Sequence, residues 1–246
     1  MTEPILVKER RGNVLVLRLN RPDVRNALSA DLIGQFGLGL IEGEDDPDIR
    51  CVVLTGTGDR AFCSGMDLHD FNESGTPRPT EKDGVAAYHR FNRGEIAVPV
   101  VGAANATAVA GGFELLLACD LVVAADTARF GLPEVKRGLF APFGSVFLGS
   151  RLPLAVALEL ALTGDPIDAP RALALGLINQ VVPAEQVLDA AVALAERVAA
   201  NGPVAVRATR EVVRRAAADE AGRFADELVP VGDVTRDVLT NYLRAE

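Results

Sequence analysis

The sequence predicts an α/β fold with a C-terminal helical portion. Three observations carry this. Short β-branched runs alternate with segments of helical spacing as far as roughly residue 180, beyond that point helical patterns dominate, and 246 residues that are 49% hydrophobic suffice for a sizeable core. Length points to one domain, or one domain with a small appendage.

The elements follow in order. Val14–Leu19 (VLVLRL) reads as a strand, closed by the turn residues Asn20-Arg21-Pro22-Asp23. Ser29 offers an N-cap for a helix from about Ala30 to Glu42, with Leu32, Ile33, Phe36 and Leu40 on one side. Cys51–Thr55 is a buried strand by its β-branched content, followed by the turn Gly56-Thr57-Gly58-Asp59. The polar stretch Asn72–Asp83 reads as a mobile loop leading into a helix over Val85–Gly94. Val98–Ala103 and Leu121–Ala124 are further strands, and a last short one lies near Ile178–Val182. Ala184–Ala200 and Val204–Ala218 are amphipathic helices by propensity and spacing. No internal repeat or low-complexity segment is visible.

The charge balance, 25 Lys+Arg against 34 Asp+Glu, gives −9 with no basic block, a poor basis for nucleic-acid binding. Three cysteines in or beside apolar runs suit reduced thiols better than a disulfide framework. The N-terminus lacks a basic, apolar leader, and no apolar run approaches the roughly 20 residues of a membrane span. A soluble, cytoplasmic protein is expected.

Two segments and two carboxylates could carry chemistry. Ala61-Phe62-Cys63-Ser64-Gly65-Met66-Asp67-Leu68 follows a buried strand, and its small residues permit close backbone approach to a ligand. Equally, it could be only a tight connection into a helix. Ala110-Gly111-Gly112-Phe113-Glu114-Leu115 again lies between strand and helix. Its paired glycines would bare amides at a helix N-terminus, half of what an oxyanion hole needs, or serve close packing alone. Glu114 sits among apolar neighbours, and Glu134 follows Gly131-Leu132-Pro133 with Leu139, Phe140 and Phe143 close behind. A carboxyl in an apolar pocket exchanges protons near neutral pH, whereas a solvated helix-end carboxylate does not.

Taken together, Asn20-Arg21-Pro22…Asn26-Ala27-Leu28, VLTGTGDRAFCSGMDL and AGGFELLLACDLVVAADTARFGLPEVKRGL resemble the enoyl-CoA hydratase/isomerase (crotonase) family in order and spacing. The resemblance covers about Val14 to Val182. It implies a spiral of ββα units over residues 1–185, holding an acyl-CoA site, and a helical oligomerisation region over 186–246. It also implies a homotrimer or hexamer, with no resident cofactor or metal because coenzyme A belongs to the substrate. The thioester oxygen would be held by the backbone amides of Met66 and Gly111. Arg25, Ala27, Ser64, Asp67 and Leu68 fall where the family contacts the CoA moiety. Glu114 and Glu134 match its acid/base glutamates, which favours hydration of a 2-enoyl-CoA. Isomerisation of 3-enoyl-CoA and non-catalytic acyl-CoA binding stay open.

Two departures stand out. Where hydratases carry a Pro-Gly-Ala-Gly-Gly type of segment, this chain has Ala141-Pro142-Phe143-Gly144-Ser145. Proline brings a ring and no N–H, so a catalytic water is expected to be held less well there. The chain also stops at Arg244-Ala245-Glu246, without the aromatic and basic tail common in relatives. Other chemistries lack support: Gly56-Thr57-Gly58 is not followed by a third glycine at dinucleotide spacing, and His69 and His89 do not make a zinc site. Ser64 and Cys63 have no placed base for covalent catalysis.

Overall fold

The computed structural model describes residues 3–67 and 82–225, which form strands β1 (Leu6–Arg11), β2 (Val14–Leu19) and helix α1 (Ala30–Asp45). Then come β3 (Cys51–Gly56), α2 (Lys82–Asn92), β4 (Val100–Ala104), β5 (Ala108–Val109), α3 (Gly111–Ala118), β6 (Leu121–Ala125) and β7 (Arg129–Gly131). The chain continues through α4 (Pro142–Arg151), α5 (Leu154–Thr163), β8 (Ile167–Asp168), α6 (Ala169–Ala174), β9 (Gln180–Val182), α7 (Val187–Ala199) and α8 (Pro203–Ala225). Short 3-10 turns occupy Pro22–Val24, Pro133–Arg137 and Ala184–Gln186. The loop expected over Asn72–Asp83 falls mostly outside the described residues, and the chain end at Arg244–Glu246 wholly so.

A six-stranded sheet runs in the order β1-β2-β3-β4-β6-β9, and a three-stranded one in the order β5-β7-β8. In the large sheet only the β1–β2 pair is antiparallel. Every residue of β3 is buried, the signature of a parallel strand covered on both faces. From β4 onward the chain alternates between the sheets. It passes from β4 to β5 and then α3, and from β6 to β7 and then the 133–137 turn. Earlier turns of the spiral reduce the second strand to single bridges, Cys63 with Ala108 and Leu28 with Met66. This is the expected spiral of ββα units. Because β5, β7 and β8 are only two or three residues long, their sequence pattern is too short to announce them.

Ser29 caps α1 as expected, its hydroxyl accepting from the Leu32 N–H at 3.2 Å. α1 crosses α2 backbone to backbone: a Cβ on Gly37 would strike the Gly84 carbonyl, and one on Gly84 the Gly34 carbonyl. That proximity draws α2 inward, where Phe36 and Phe91 meet edge to face at 5.3 Å. The helix begins at Lys82 rather than Val85 and ends at Asn92 rather than Gly94. β1 escaped the sequence reading because its LVKERR run is charged and exposed, as suits an edge strand. α7 covers the large sheet through Val187, Ala191, Val192, Ala195 and Ala199, one apolar stripe. α8 differs: its Val204, Val212 and Val213 face outward, and arginines anchor it. Among the described residues no helix is long and apolar enough to cross a membrane.

Candidate active site

The segment after β2 is the first wall. Arg25 and Asn26 adopt left-handed φ values of 56° and 54°, a region Asn tolerates better than most residues. Asn26 is fully buried and its amide is satisfied three times. It accepts from the Arg21 N–H at 2.9 Å and donates to the carbonyls of Thr57 at 3.0 Å and Ala61 at 2.9 Å. Those bonds hold the turn against the loop after β3. Arg21 reinforces them, donating to the Ala27 carbonyl at 2.6 Å and pairing with Asp67 at 3.0 Å. The Ser64 N–H donates to the Arg25 carbonyl at 3.1 Å.

Four of the five residues expected to contact CoA therefore gather at one edge: Arg25 exposed, Ala27 buried, Ser64 and Asp67 partly buried. Leu68 lies outside the described residues. Sequence reasoning missed Arg21 and Asn26 as organisers; the signal lay in the Asn-Arg-Pro…Asn-Ala-Leu motif itself, which was read only for its neighbours.

The two expected amides meet next. The Leu28 N–H donates to the Gly65 carbonyl at 2.8 Å and the Asp67 N–H to the Leu28 carbonyl at 3.0 Å, so the chain is gripped on both sides of Met66. Gly65 has φ +95°, and a Cβ there would lie 2.7 Å from the Ala110 Cβ and 3.1 Å from the Gly111 nitrogen. Ala110, which precedes Gly111, is itself at φ 53° and ψ −134°, strain of roughly 1–3 kcal/mol for a residue with a side chain. Two unusual backbone conformations thus bring the amides of Met66 and Gly111 close together. A Cβ on Gly111 would stand 3.6 Å from the Met66 nitrogen. Neither N–H is engaged by a carbonyl among the described residues.

Glu114 follows on the first turn of α3, 7% exposed. Its Oε1 accepts from the Gly144 N–H at 2.7 Å, and the Phe143 N–H also points at its carboxylate. Burial raises its pKa above the ordinary carboxylate value, and these two amides pull it back. Both amides come from the first turn of α4, so the departure at Ala141–Ser145 takes on a different meaning. Pro142 opens the helix, where an N–H has no intrahelical partner. Gly144 must stay small, since a Cβ would meet Leu132 at 2.9 Å and the Glu114 Cγ at 3.1 Å.

Glu134 sits in the 133–137 turn with its Oε2 buried and without a partner among the described residues. Its pKa is pushed up to about 7, chiefly by burial; its own backbone N–H opposes the shift and the charge of Glu114 adds to it. The two carboxyls are therefore electrostatically coupled. Tyr88 of α2 feels the same charge, and burial with Glu114 beside it raises the phenol. His89 lies toward solvent with its ring 6.4 Å from Phe143, while His69 falls outside the described residues. Cys63 is buried and its thiol pushed up to about 12, which leaves it inert as a nucleophile.

A spiral ββα core that brings two backbone amides close together near a pair of buried carboxyls has the groups needed to polarise a carbonyl and to move protons next to it. The sequence profile of the enoyl-CoA hydratase/isomerase family matches residues 9–227. The chain belongs to that family. It is 39% identical over 220 residues to the enoyl-CoA hydratase EchA19 of Mycobacterium tuberculosis, covering 86% of this chain and 80% of that one. It is 34% identical over 212 residues to the short-chain-enoyl-CoA hydratase of Clostridium acetobutylicum, covering 85% and 81%. Among solved structures, a carnitinyl-CoA dehydratase from Mycobacterium avium 104 superposes with a TM-score of 0.83 at 41% identity, covering 97% and 93%.

Proposed function

We propose that this protein hydrates 2-enoyl-CoA thioesters to 3-hydroxyacyl-CoA, with Glu114 as base and Glu134 as acid. The observation that carries the reading is the unequal carboxyl pair. Glu114 is held by two backbone amides, while Glu134 is pushed up to about 7 and has one buried oxygen without a partner among the described residues. The thioester oxygen accepts from the Met66 and Gly111 N–H groups. Glu114 takes a proton from water as its oxygen bonds to C3, and the C2–C3 π electrons move onto the thioester as an enolate. Glu134 then protonates C2, and proton exchange within the coupled pair resets the site. Water supplies every atom that is added, so no resident cofactor is required.

Arg25, Ala27, Ser64, Asp67 and Leu68 are assigned to the CoA moiety; Arg21 neutralises Asp67 beside it. The relatives named as hydratases and the dehydratase, whose reaction runs the same chemistry in reverse, support this over 3-enoyl-CoA isomerisation and over binding without turnover. The test is the near-ultraviolet band of crotonyl-CoA, which hydration abolishes. Rapid loss that vanishes in Glu114→Gln and Glu134→Gln supports the reading, and binding without loss defeats hydration of that substrate.

We also assign the 186–246 region and α5 to self-association as a trimer or hexamer. Leu154, Leu158 and Leu162 recur at helical spacing on α5, exposed by 69%, 45% and 69%. Light scattering on purified protein tests this, and a monomer at micromolar concentration refutes it. The three buried free thiols suit a reducing cytoplasm, which cell fractionation checks.

A further inference from the structure

The end of α3 remote from the oxyanion amides is as heavily bonded as its start. Asp120 donates its N–H to the Val100 carbonyl at 2.9 Å and accepts from the Val100 N–H at 2.8 Å, which ties the helix exit to β4. Arg210 of α8 places its Nε 2.8 Å from both Asp120 oxygens, and Arg214 places its Nε 2.7 Å from one of them. The guanidiniums reach further. Arg214 donates to the Ala118 carbonyl at 2.7 Å, Arg210 to the Gly94 carbonyl at 3.4 Å, and Arg151 of α4 to the Cys119 carbonyl at 3.0 Å. Asp120, Arg210 and Arg214 are only 16%, 11% and 20% exposed at their side chains, so water screens them little.

This cluster has a geometric consequence. α3 and α4 are pinned together at both ends. At their starts Glu114 receives the Gly144 and Phe143 amides, and at their ends Arg151 holds the Cys119 carbonyl. α8 packs on α4 and grips the end of α3 through Arg214. The α3 end lies about 12 Å along the helix from Gly111. Three guanidiniums face one carboxylate and the carbonyl end of a helix, which itself carries partial negative charge. Removing the carboxylate leaves three like charges on two helices, and these will separate.

We propose that Asp120 is a positioning residue for Glu114: with Arg210 and Arg214 it ties the end of α3 to α8, which packs on α4, so that the Phe143 and Gly144 amides stay on the catalytic carboxylate. The C-terminal helix α8 thereby becomes part of the catalytic apparatus without touching substrate. The proposal rests on Glu114 being the base. Groups facing Glu114 from its neighbours are Glu134, Tyr88 and, near Tyr88, Cys63. Tyr88 and Cys63 stay neutral at working pH, so among the described residues facing it Glu134 is the one that titrates.

Asp120→Asn tests the idea, since it keeps the shape and removes the charge. The expected kcat loss is about tenfold to a hundredfold, the scale of a small remote misplacement, with KM for crotonyl-CoA held within about twofold. Losing amide bonds raises the pKa of Glu114, so the acid limb of the rate profile moves up by roughly one pH unit. The carbon-13 resonance of the Glu114 carboxyl, assigned through Glu114→Gln, reports the same shift without turnover. A wild type that fails to hydrate therefore sinks the hydratase reading and leaves this measurement standing. An unmoved limb and resonance with only a lower melting temperature would reduce Asp120 to a structural residue and overturn the proposal. Should Asp120→Asn not fold, Arg214→Lys keeps the charge but loses the bond to Ala118; an unmoved Glu114 titration there overturns the proposal as well.

Discussion

On one side of the site two N–H groups are aimed by backbone conformation; on the other two carboxyls are tuned by burial and by each other. The amide side depends on residues that have little or no side chain. Gly65 and Ala110 hold positive φ values, and in the proposed mechanism position 66 uses only its N–H. The carboxyl side is the reverse, since the roles proposed for Glu114 and Glu134 use their side chains and the burial that raises both. Catalytic power is therefore exposed to different kinds of substitution on the two sides. The amide half is broken by adding a Cβ, the carboxyl half by removing an ionisable proton.

The largest effect tests the carboxyl half. Glu114→Gln and Glu134→Gln should each lower kcat for crotonyl-CoA hydration by about 10²–10⁴, the usual worth of general acid–base help. The double variant should be little worse than either single one, because base and acid act as a unit. Steady-state rates on the three proteins decide it. Independent, additive losses would mean that the two carboxyls do not work as a pair.

Gly65→Ala addresses the amide half and ranks next. Its Cβ would lie 2.7 Å from the Ala110 Cβ and 3.1 Å from the Gly111 nitrogen, at a φ of +95° that a side chain resists. Displacing that donor should cost about 10²–10³ in kcat. Circular dichroism at the assay temperature confirms that the variant is folded. A folded Gly65→Ala with wild-type kcat would remove Gly111 from the oxyanion role.

A smaller, pH-dependent effect distinguishes the two carboxyls. Glu134 titrates near 7 in the folded protein against an ordinary 4.5, so its folded-state pKa is raised. Hydration needs it protonated, and the alkaline limb of the rate profile should therefore fall near pH 7. The same shift has a stability sign. Folding favours the protonated form, so this contribution is complete below about pH 4.5 and is lost as pH rises toward 7. Glu134→Gln cannot ionise, and its melting temperature relative to wild type should rise between pH 5 and 8. A flat difference across that range would mean that Glu134 is not desolvated.

Much of the frame could be read directly, and the reasons are physical. β2, β3, β4 and β6 are almost wholly buried, so each reads as a short run dominated by valine, leucine and small residues. Glu114 and Glu134 were not legible as isolated residues, since a solvated helix-end carboxylate explains each as well, and only their places in the family's motifs singled them out. The meaning of Ala141–Ser145 was not legible. The residue types there suggested only an effect on water, and the backbone adds a second use for the segment, the delivery of two amides to Glu114. Hydrogen bonds from main-chain N–H groups leave no trace in residue identity. The role of Asp120 was hidden for a related reason, since Arg210 and Arg214 lie 90 and 94 residues further along the chain.

The smallest expected effect is the sharpest check on the contrast between the halves. Met66 is 41% exposed, and its assigned role uses the N–H alone. Leucine is close to methionine in volume and keeps that N–H. Met66→Leu should therefore leave kcat within about twofold of wild type, since the oxyanion donor is untouched. A change in KM alone leaves this reading intact, because the side chain at 66 is exposed. A kcat loss approaching that of Gly65→Ala would show that the side chain at 66 takes part in the chemistry, and the division into a backbone half and a side-chain half would fail.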